Sequence, residues 1–209
     1  MQSKCLRRCS ALCTLHSALL TLLLAPSVTP LTDETPSDLS GGVAARLTPA
    51  AKIVSGPATL DVWLVDKLES AGGGGWSGIE SGTLVGAMRV TGEFKEIRGK
   101  AVKPGVYTLR FGWQPQNGDH LGISTYREFL LLSPAAIDQD PKVLGFDGVV
   151  ALSKEVIGTA HPASLSLDPP EDAPGAVLSA YKNEHGHDGV VLQIGALKFG
   201  LIVSGLIVH

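Results

Sequence analysis

After residue 13 the sequence contains no cysteine. All three cysteines of this 209-residue chain, Cys5, Cys9 and Cys13, lie close to its N terminus. The rest of the chain therefore has no disulfide and no cysteine nucleophile. It also has no thiolate zinc site and no blue-copper centre, because both require cysteine ligands. A domain without disulfides depends on its hydrophobic core for stability.

No apolar run of membrane-spanning length is present near the N terminus. Lys4, Arg7 and Arg8 precede the run "SALLTLLLAPSV", which is shorter than the roughly 20 apolar residues that a spanning helix needs. A basic start, a short apolar run and small residues at Ala25 and Ser27 are typical of a secretory signal peptide. We therefore predict a signal peptide at residues 1–27, a secreted or periplasmic location, and no membrane span after its cleavage.

Runs of basic residues are absent as well. Residues 1–27 hold three of the 17 Lys and Arg and none of the 20 Asp and Glu, which leaves 14 basic against 20 acidic side chains. The resulting formal charge of −6 argues against nucleic acid or anionic lipid, since both attract clustered positive charge. The expected partner is an extracytoplasmic ligand or protein of unknown identity.

Residues 28–42 are rich in Thr, Ser, Pro and Asp without apolar periodicity, which predicts a flexible tether. From residue 43 to 209, short runs rich in Val, Leu, Ile and aromatics alternate with Gly, Pro, Asn and Asp. This pattern predicts an all-β domain, an antiparallel β-sandwich of immunoglobulin-like or prealbumin-like type. One short helix is expected from an N-cap at Asp147 to a stop at Gly158. The predicted strands are 44–47, 59–65, 83–90, 94–97, 106–113, 127–132, 164–167, 177–182, 189–194 and 201–208.

Residues 82–136, together with "HPASLSL" and the closing "FGLIVSG", resemble a group of uncharacterised exported proteins of environmental bacteria. The phrase "VKPGVYTLRF" is also similar to a recurring element of secreted bacterial β-sandwich domains. The resemblance implies export and a β-sandwich, and it brings no catalytic motif to this chain.

Two histidines one residue apart, His185 and His187, form the main candidate metal site. Alternate residues of an extended chain point the same way, so two imidazoles at this spacing can share an ion. With His120 as a distant third ligand, the sequence suggests a Cu or Zn site, because imidazole suits both metals. The alternative is that residues 182–189 form only a polar hairpin turn. His120 likewise lies beside the turn pair Asn117-Gly118, which by itself explains a loop there.

Signatures of nucleophilic or zinc-protease catalysis, Gly-x-Ser-x-Gly and His-Glu-x-x-His, are absent from the sequence. We therefore expect a non-enzymatic exported binding or structural module. A divalent-metal binding protein of the cell envelope is one alternative. An extracellular hydrolase acting on polysaccharide is another, with Asp119, His120, Glu171 and Asp172 as its polar groups. In that alternative Trp76 stacks on a sugar, whereas otherwise it packs as a hydrophobic pin.

Overall fold

The computed structural model describes residues 25–68, 75–115 and 126–204 of the chain. It contains twelve strands and two helices in the described part, of which α1 is a single turn. The strands are β1 (Ser27–Pro30), β2 (Leu47–Ser55), β3 (Ala58–Val65), β4 (Leu84–Thr91), β5 (Phe94–Lys95), β6 (Ala101–Val102), β7 (Gly105–Trp113), β8 (Glu128–Pro134), β9 (Ser164–Asp168), β10 (Ala180–Lys182), β11 (Asp188–Ile194) and β12 (Leu197–Ser204). The helices are α1 (Gly41–Ala44) and α2 (Gly145–Ile157).

Ten of the strands form one antiparallel sheet in the order β1-β2-β3-β4-β7-β8-β9-β12-β11-β10. This sheet is nearly closed into a barrel, while β5 and β6 make a separate two-stranded hairpin. The prediction of a mostly β, antiparallel fold with one short helix is confirmed. The expected pair of facing sheets is not confirmed, because the main strands follow one another in a single curved sheet.

The hydrophobic core lies on the inner face of this curved sheet. Along β7 the side chains alternate, so Tyr107, Leu109 and Phe111 belong to the core while Thr108 and Arg110 point to the outer face. Trp76 stacks on Phe111 at 5.0 Å and meets the ring of Phe199 edge-on at 5.2 Å. Two strands separate β7 from β12 in the sheet, so one indole can contact both rings only because the sheet curves around it.

Helix α2 covers the outer face of β8. Val149, Ser153 and Val156 are its buried residues, and Ser153 donates a hydrogen bond to the carbonyl oxygen of Ala163 at 2.8 Å. The helix begins two residues before the predicted N-cap, so Asp147 lies in the first turn. A negative charge there stabilises the helix by interacting favourably with its dipole. It ends at Gly158, whose φ of 62° is the left-handed conformation of a helix C-cap, as the sequence predicts.

Residues 28–42 are part of the folded domain rather than a flexible tether. Strand β1 pairs with β2 from Ser27 to Pro30, and Leu31 and Leu39 are buried. The backbone carbonyl of Asp33 accepts a hydrogen bond from the indole of Trp63 at 3.0 Å. The tether prediction is wrong here because a few apolar residues in a polar segment cover the outer face of β3.

Within the described ranges, the structure contains no helix of the length and apolarity required to cross a bilayer.

Candidate functional site

A groove of about 380 Å³ runs between α2 and the outer face of β7 and β8. We call it the helix groove. Its walls include Gly112, Trp113, Phe129, Leu131, Phe146 and Val150. Its volume lies in the range of small-molecule sites, roughly 300–1,000 Å³, and such sites are lined mainly by apolar and aromatic side chains.

One wall of the groove is a stripe of α2. Phe146, Val150 and Lys154 follow one another at intervals of four residues, which places them on the same side of a helix. This stripe lies beside the buried stripe that packs on β8. The helix therefore buries one line of side chains against the sheet and presents the adjacent line to the groove.

The floor of the groove is the outer face of the sheet at the β7–β8 pair. Phe129 lies opposite Gly112 in this pair, and Gly112 contributes no side chain of its own. A Cβ built at Gly112 would come within 3.1 Å of Leu131 Cδ1, so a larger residue there would push into the floor. Trp113 is fixed by its indole, which donates to the carbonyl oxygen of Ile79 at 2.9 Å, and the guanidinium of Arg127 lies 5.5 Å from its ring.

Basic side chains line the end of the groove next to the C terminus of α2. Lys154 lies in the last turn of the helix, and His161 follows the helix. Arg98 comes from the β5–β6 turn, donates to the carbonyl oxygen of Pro162, and is paired with the buried carboxylate of Glu96 at 2.9 Å. None of the described residues that line the groove is acidic.

The segment before α2 is held to the sheet by a buried ion pair. Arg110 donates to Asp138 through Nε at 2.6 Å and Nη2 at 2.7 Å, and both residues are almost fully buried. The same guanidinium donates to the carbonyl oxygens of Gly82, Lys142 and Asp140. All five donors of the arginine are thereby used. This contact fixes the segment from which α2 and the groove wall begin.

A second cavity of about 210 Å³ lies beside the β10–β11 turn, and we call it the acidic cavity. Its lining combines carboxylates with one imidazole and one amine: Asp168, Glu171, Asp172, Glu184, His185 and Lys182. Tyr126 also lines it. Most of the lining residues are thus polar or charged, in contrast to the helix groove.

The side chain of Tyr181, on β10, extends over β11 and β12 to Asp168, which lines this cavity. Its ring lies over Gly189 and Gly200, where an added Cβ would overlap the phenol. Its hydroxyl donates to Asp168 Oδ2 at 2.9 Å, and the side-chain amide of Asn183 donates to the same oxygen at 3.1 Å. Burial raises the pKa of Tyr181, and the carboxylate of Asp168 raises it further.

Two of the three predicted metal ligands belong to the described residues. His120 lies outside the described residues, whereas His185 and His187 lie in the β10–β11 turn with ring centroids 6.2 Å apart. Asn183 organises this turn, because its side-chain oxygen accepts from the backbone amides of both histidines. The segment therefore forms a polar hairpin turn between β10 and β11. No group of three or more His, Cys, Asp or Glu side chains arranged for a metal ion occurs in the described part of the chain.

The residues suggested for a hydrolase do not come together as one described site. Asp119 lies outside the described residues, as His120 does, while Glu171 and Asp172 both line the acidic cavity. Trp76 is only 5% exposed and packs between Phe111 and Phe199. It is a core residue, so the prediction that it stacks on a sugar is wrong.

No protein-family model, curated protein or solved structure matches this chain.

Sequence reasoning missed the helix groove. The signal that was available is the pair Phe146 and Val150, which extends the apolar face of α2 beyond what one sheet contact needs. A second signal is Gly112, a glycine in the middle of a strong β pattern, which often marks a place where another group approaches the backbone closely.

Proposed function

We propose that this chain is an exported, non-enzymatic β-domain that binds a small apolar ligand in the helix groove. The observation that carries the proposal is the composition of the groove, whose aromatic and aliphatic walls stay open although they lie between a helix and a sheet. The missing side chain at Gly112 keeps that space open.

Export is supported by the basic and then apolar N-terminal sequence. Mass spectrometry of the chain recovered from outside the cytoplasm tests it, and we expect cleavage after residue 27. A full-length chain retained in the cytoplasm would contradict export without affecting the groove.

An apolar ligand of eight carbons should bind with modest affinity. Burying about eight methylene groups at about 0.8 kcal/mol each contributes roughly 6 kcal/mol. Immobilising the ligand costs part of this, so we expect a Kd of about 0.1 to 1 mM.

The experiment is a titration of the purified chain with octan-1-ol. Binding is measured by calorimetry and by the change in tryptophan fluorescence, to which Trp113 in the groove contributes. The substitution Ala160→Phe fills the groove from an exposed position on its lining. The matched control is Ala151→Phe, an exposed position on α2 that does not line the groove. We expect binding to the wild type and the control but not to Ala160→Phe. Equal binding to all three, or none at all, would overturn the proposal.

A second candidate function, divalent-metal binding at His185 and His187, is favoured by one distance. Two imidazoles that share one ion at Zn–N lengths of about 2.1 Å have ring centroids roughly 5 to 6 Å apart. The observed separation of 6.2 Å is close to this range. Cu(II) or Zn(II) would be the ion.

Titration with Cu(II) or Zn(II) tests this candidate. We expect one site that His187→Ala weakens strongly and His161→Ala leaves unchanged, with an affinity that decreases as the pH is lowered, because protons compete with the metal ion for its ligands. An affinity that neither the pH nor His187→Ala changes would leave the β10–β11 turn with a structural role only.

A further inference from the structure

We propose that the ligand of the helix groove is an amphipathic anion, with its apolar tail along α2 and its acidic head beside Lys154. This inference rests on the proposed function, because it names the class of ligand that the same groove takes. It is drawn from how charge is distributed along the groove.

The groove has an apolar end and a basic end. Phe146 opens α2 and Lys154 lies eight residues later, which at 1.5 Å per residue is a distance of about 12 Å along the helix axis. Val150 lies between them. His161, which follows the helix, and Arg98, which contacts Pro162, line the groove beyond the C terminus of the helix. The basic side chains are therefore concentrated at the Lys154 end.

Lys154 is the side chain whose charge is available to a ligand. The charge of Arg98 is already balanced by the buried carboxylate of Glu96, to which it is bonded at 2.9 Å. Lys154 is exposed, and it has no side-chain hydrogen bond or ion pair with any described residue. A carboxylate at this end of the groove would meet a cation with which no side chain of the described residues forms an ion pair.

The sign of this charge is opposite to that of most of the chain. Acidic residues outnumber basic ones, 20 to 17, yet no acid is found among the described residues that line the groove. Charge complementarity therefore selects an anion over a cation, and the apolar walls select one that carries a hydrocarbon or aromatic tail.

The experiment compares three probes with the same tail: octanoate, octan-1-ol and octylammonium. We expect octanoate to bind about threefold to tenfold more tightly than octan-1-ol at low salt, and octylammonium to bind most weakly, as one partly exposed charge allows. Raising the salt concentration should reduce the preference for octanoate, since exposed charges are screened.

Two substitutions assign the preference to Lys154. Lys154→Gln should weaken octanoate about threefold to tenfold, to the affinity of octan-1-ol, while octan-1-ol itself is unchanged. Lys142→Gln is the control, because Lys142 has an 84% exposed side chain and does not line the groove. Lys154→Glu should reverse the order of octanoate and octylammonium.

The outcomes separate this inference from the function on which it rests. If Ala160→Phe abolishes the binding of octan-1-ol but all three probes bind the wild type equally well, the groove is a binding site and the proposal of an anionic ligand is overturned. A preference for octanoate that survives Lys154→Gln would also overturn it. Failure of every probe to bind would overturn both.

Discussion

Removing the carboxylate of Asp138 should destabilise the domain more than any change at an exposed acid. The substitution Asp138→Ala leaves Arg110 fully buried and without its counter-ion. Breaking a buried ion pair from one side costs about 3 to 5 kcal/mol. For a domain of 150–250 residues each kcal/mol corresponds to about 2 to 4 °C in Tm, so we expect a loss of about 6 to 20 °C.

The assay is urea denaturation followed by tryptophan fluorescence, with Asp140→Ala as the control. Asp140 lies two residues further along, and its 55% exposed carboxylate lies 3.9 Å from Lys142 Nζ and accepts a hydrogen bond from the backbone amide of Lys142 at 3.0 Å. Exposed pairs of this kind contribute about 0 to 1 kcal/mol. The midpoint of unfolding should therefore move strongly for Asp138→Ala and little for Asp140→Ala, with similar m values.

A double-mutant cycle with Arg110→Met isolates the ion pair. The double variant removes both charges, so it should be more stable than the sum of the two single losses predicts, by about 2 kcal/mol or more. It should not recover fully, because the carbonyls of Gly82, Asp140 and Lys142 lose their donor. Equal losses for Asp138→Ala and Asp140→Ala, or strict additivity in the cycle, would refute this reasoning.

Two further predictions concern Tyr181. Gly200→Ala should lower the free energy of unfolding by about 1 to 3 kcal/mol, because the new Cβ displaces the phenol and deprives Asp168 of a hydrogen bond. The control is Gly41→Ala, which has open space around its Cβ, and equal effects of the two substitutions in urea denaturation would contradict the packing argument. The pKa of Tyr181 is about 10 in the unfolded state and higher in the folded state, so this group stabilises the folded state fully below pH 10 and its contribution is lost as the pH rises further. The decline of the free energy of unfolding above pH 10 should therefore be shallower in Tyr181→Phe, and identical pH profiles for the two proteins would contradict this prediction.

Local patterns were sufficient to predict the elements whose signals are local. Strand β7 follows from strict alternation around Tyr107, Leu109 and Phe111, and the end of α2 follows from Gly158. Strand β2 was missed over most of its length. Pro49 interrupts its β pattern, and the structure places this proline at an irregularity in the pairing with β3, where a strand tolerates it.

The functional features depend on contacts between distant segments, which a single sequence does not reveal. The buried partner of Arg110 is Asp138, 28 residues away and outside any strand. The helix groove exists because the distance between α2 and the sheet leaves a space above Gly112. The segment before α1 is polar by composition and is ordered only because Trp63 and the core give its few apolar residues a surface.

The contacts of Trp76 should form late in folding. Its ring contacts Phe111 of β7 and Phe199 of the last strand in sequence, β12, so both contacts exist only after β7, β8, β9 and β12 have paired and this part of the sheet has curved. Pairings between residues so far apart in the chain form slowly. In a stopped-flow experiment, the part of the near-ultraviolet circular dichroism that Trp76→Phe removes should therefore rise after the far-ultraviolet signal of the strands, and the delay between them would measure how long the curvature between β7 and β12 takes to form.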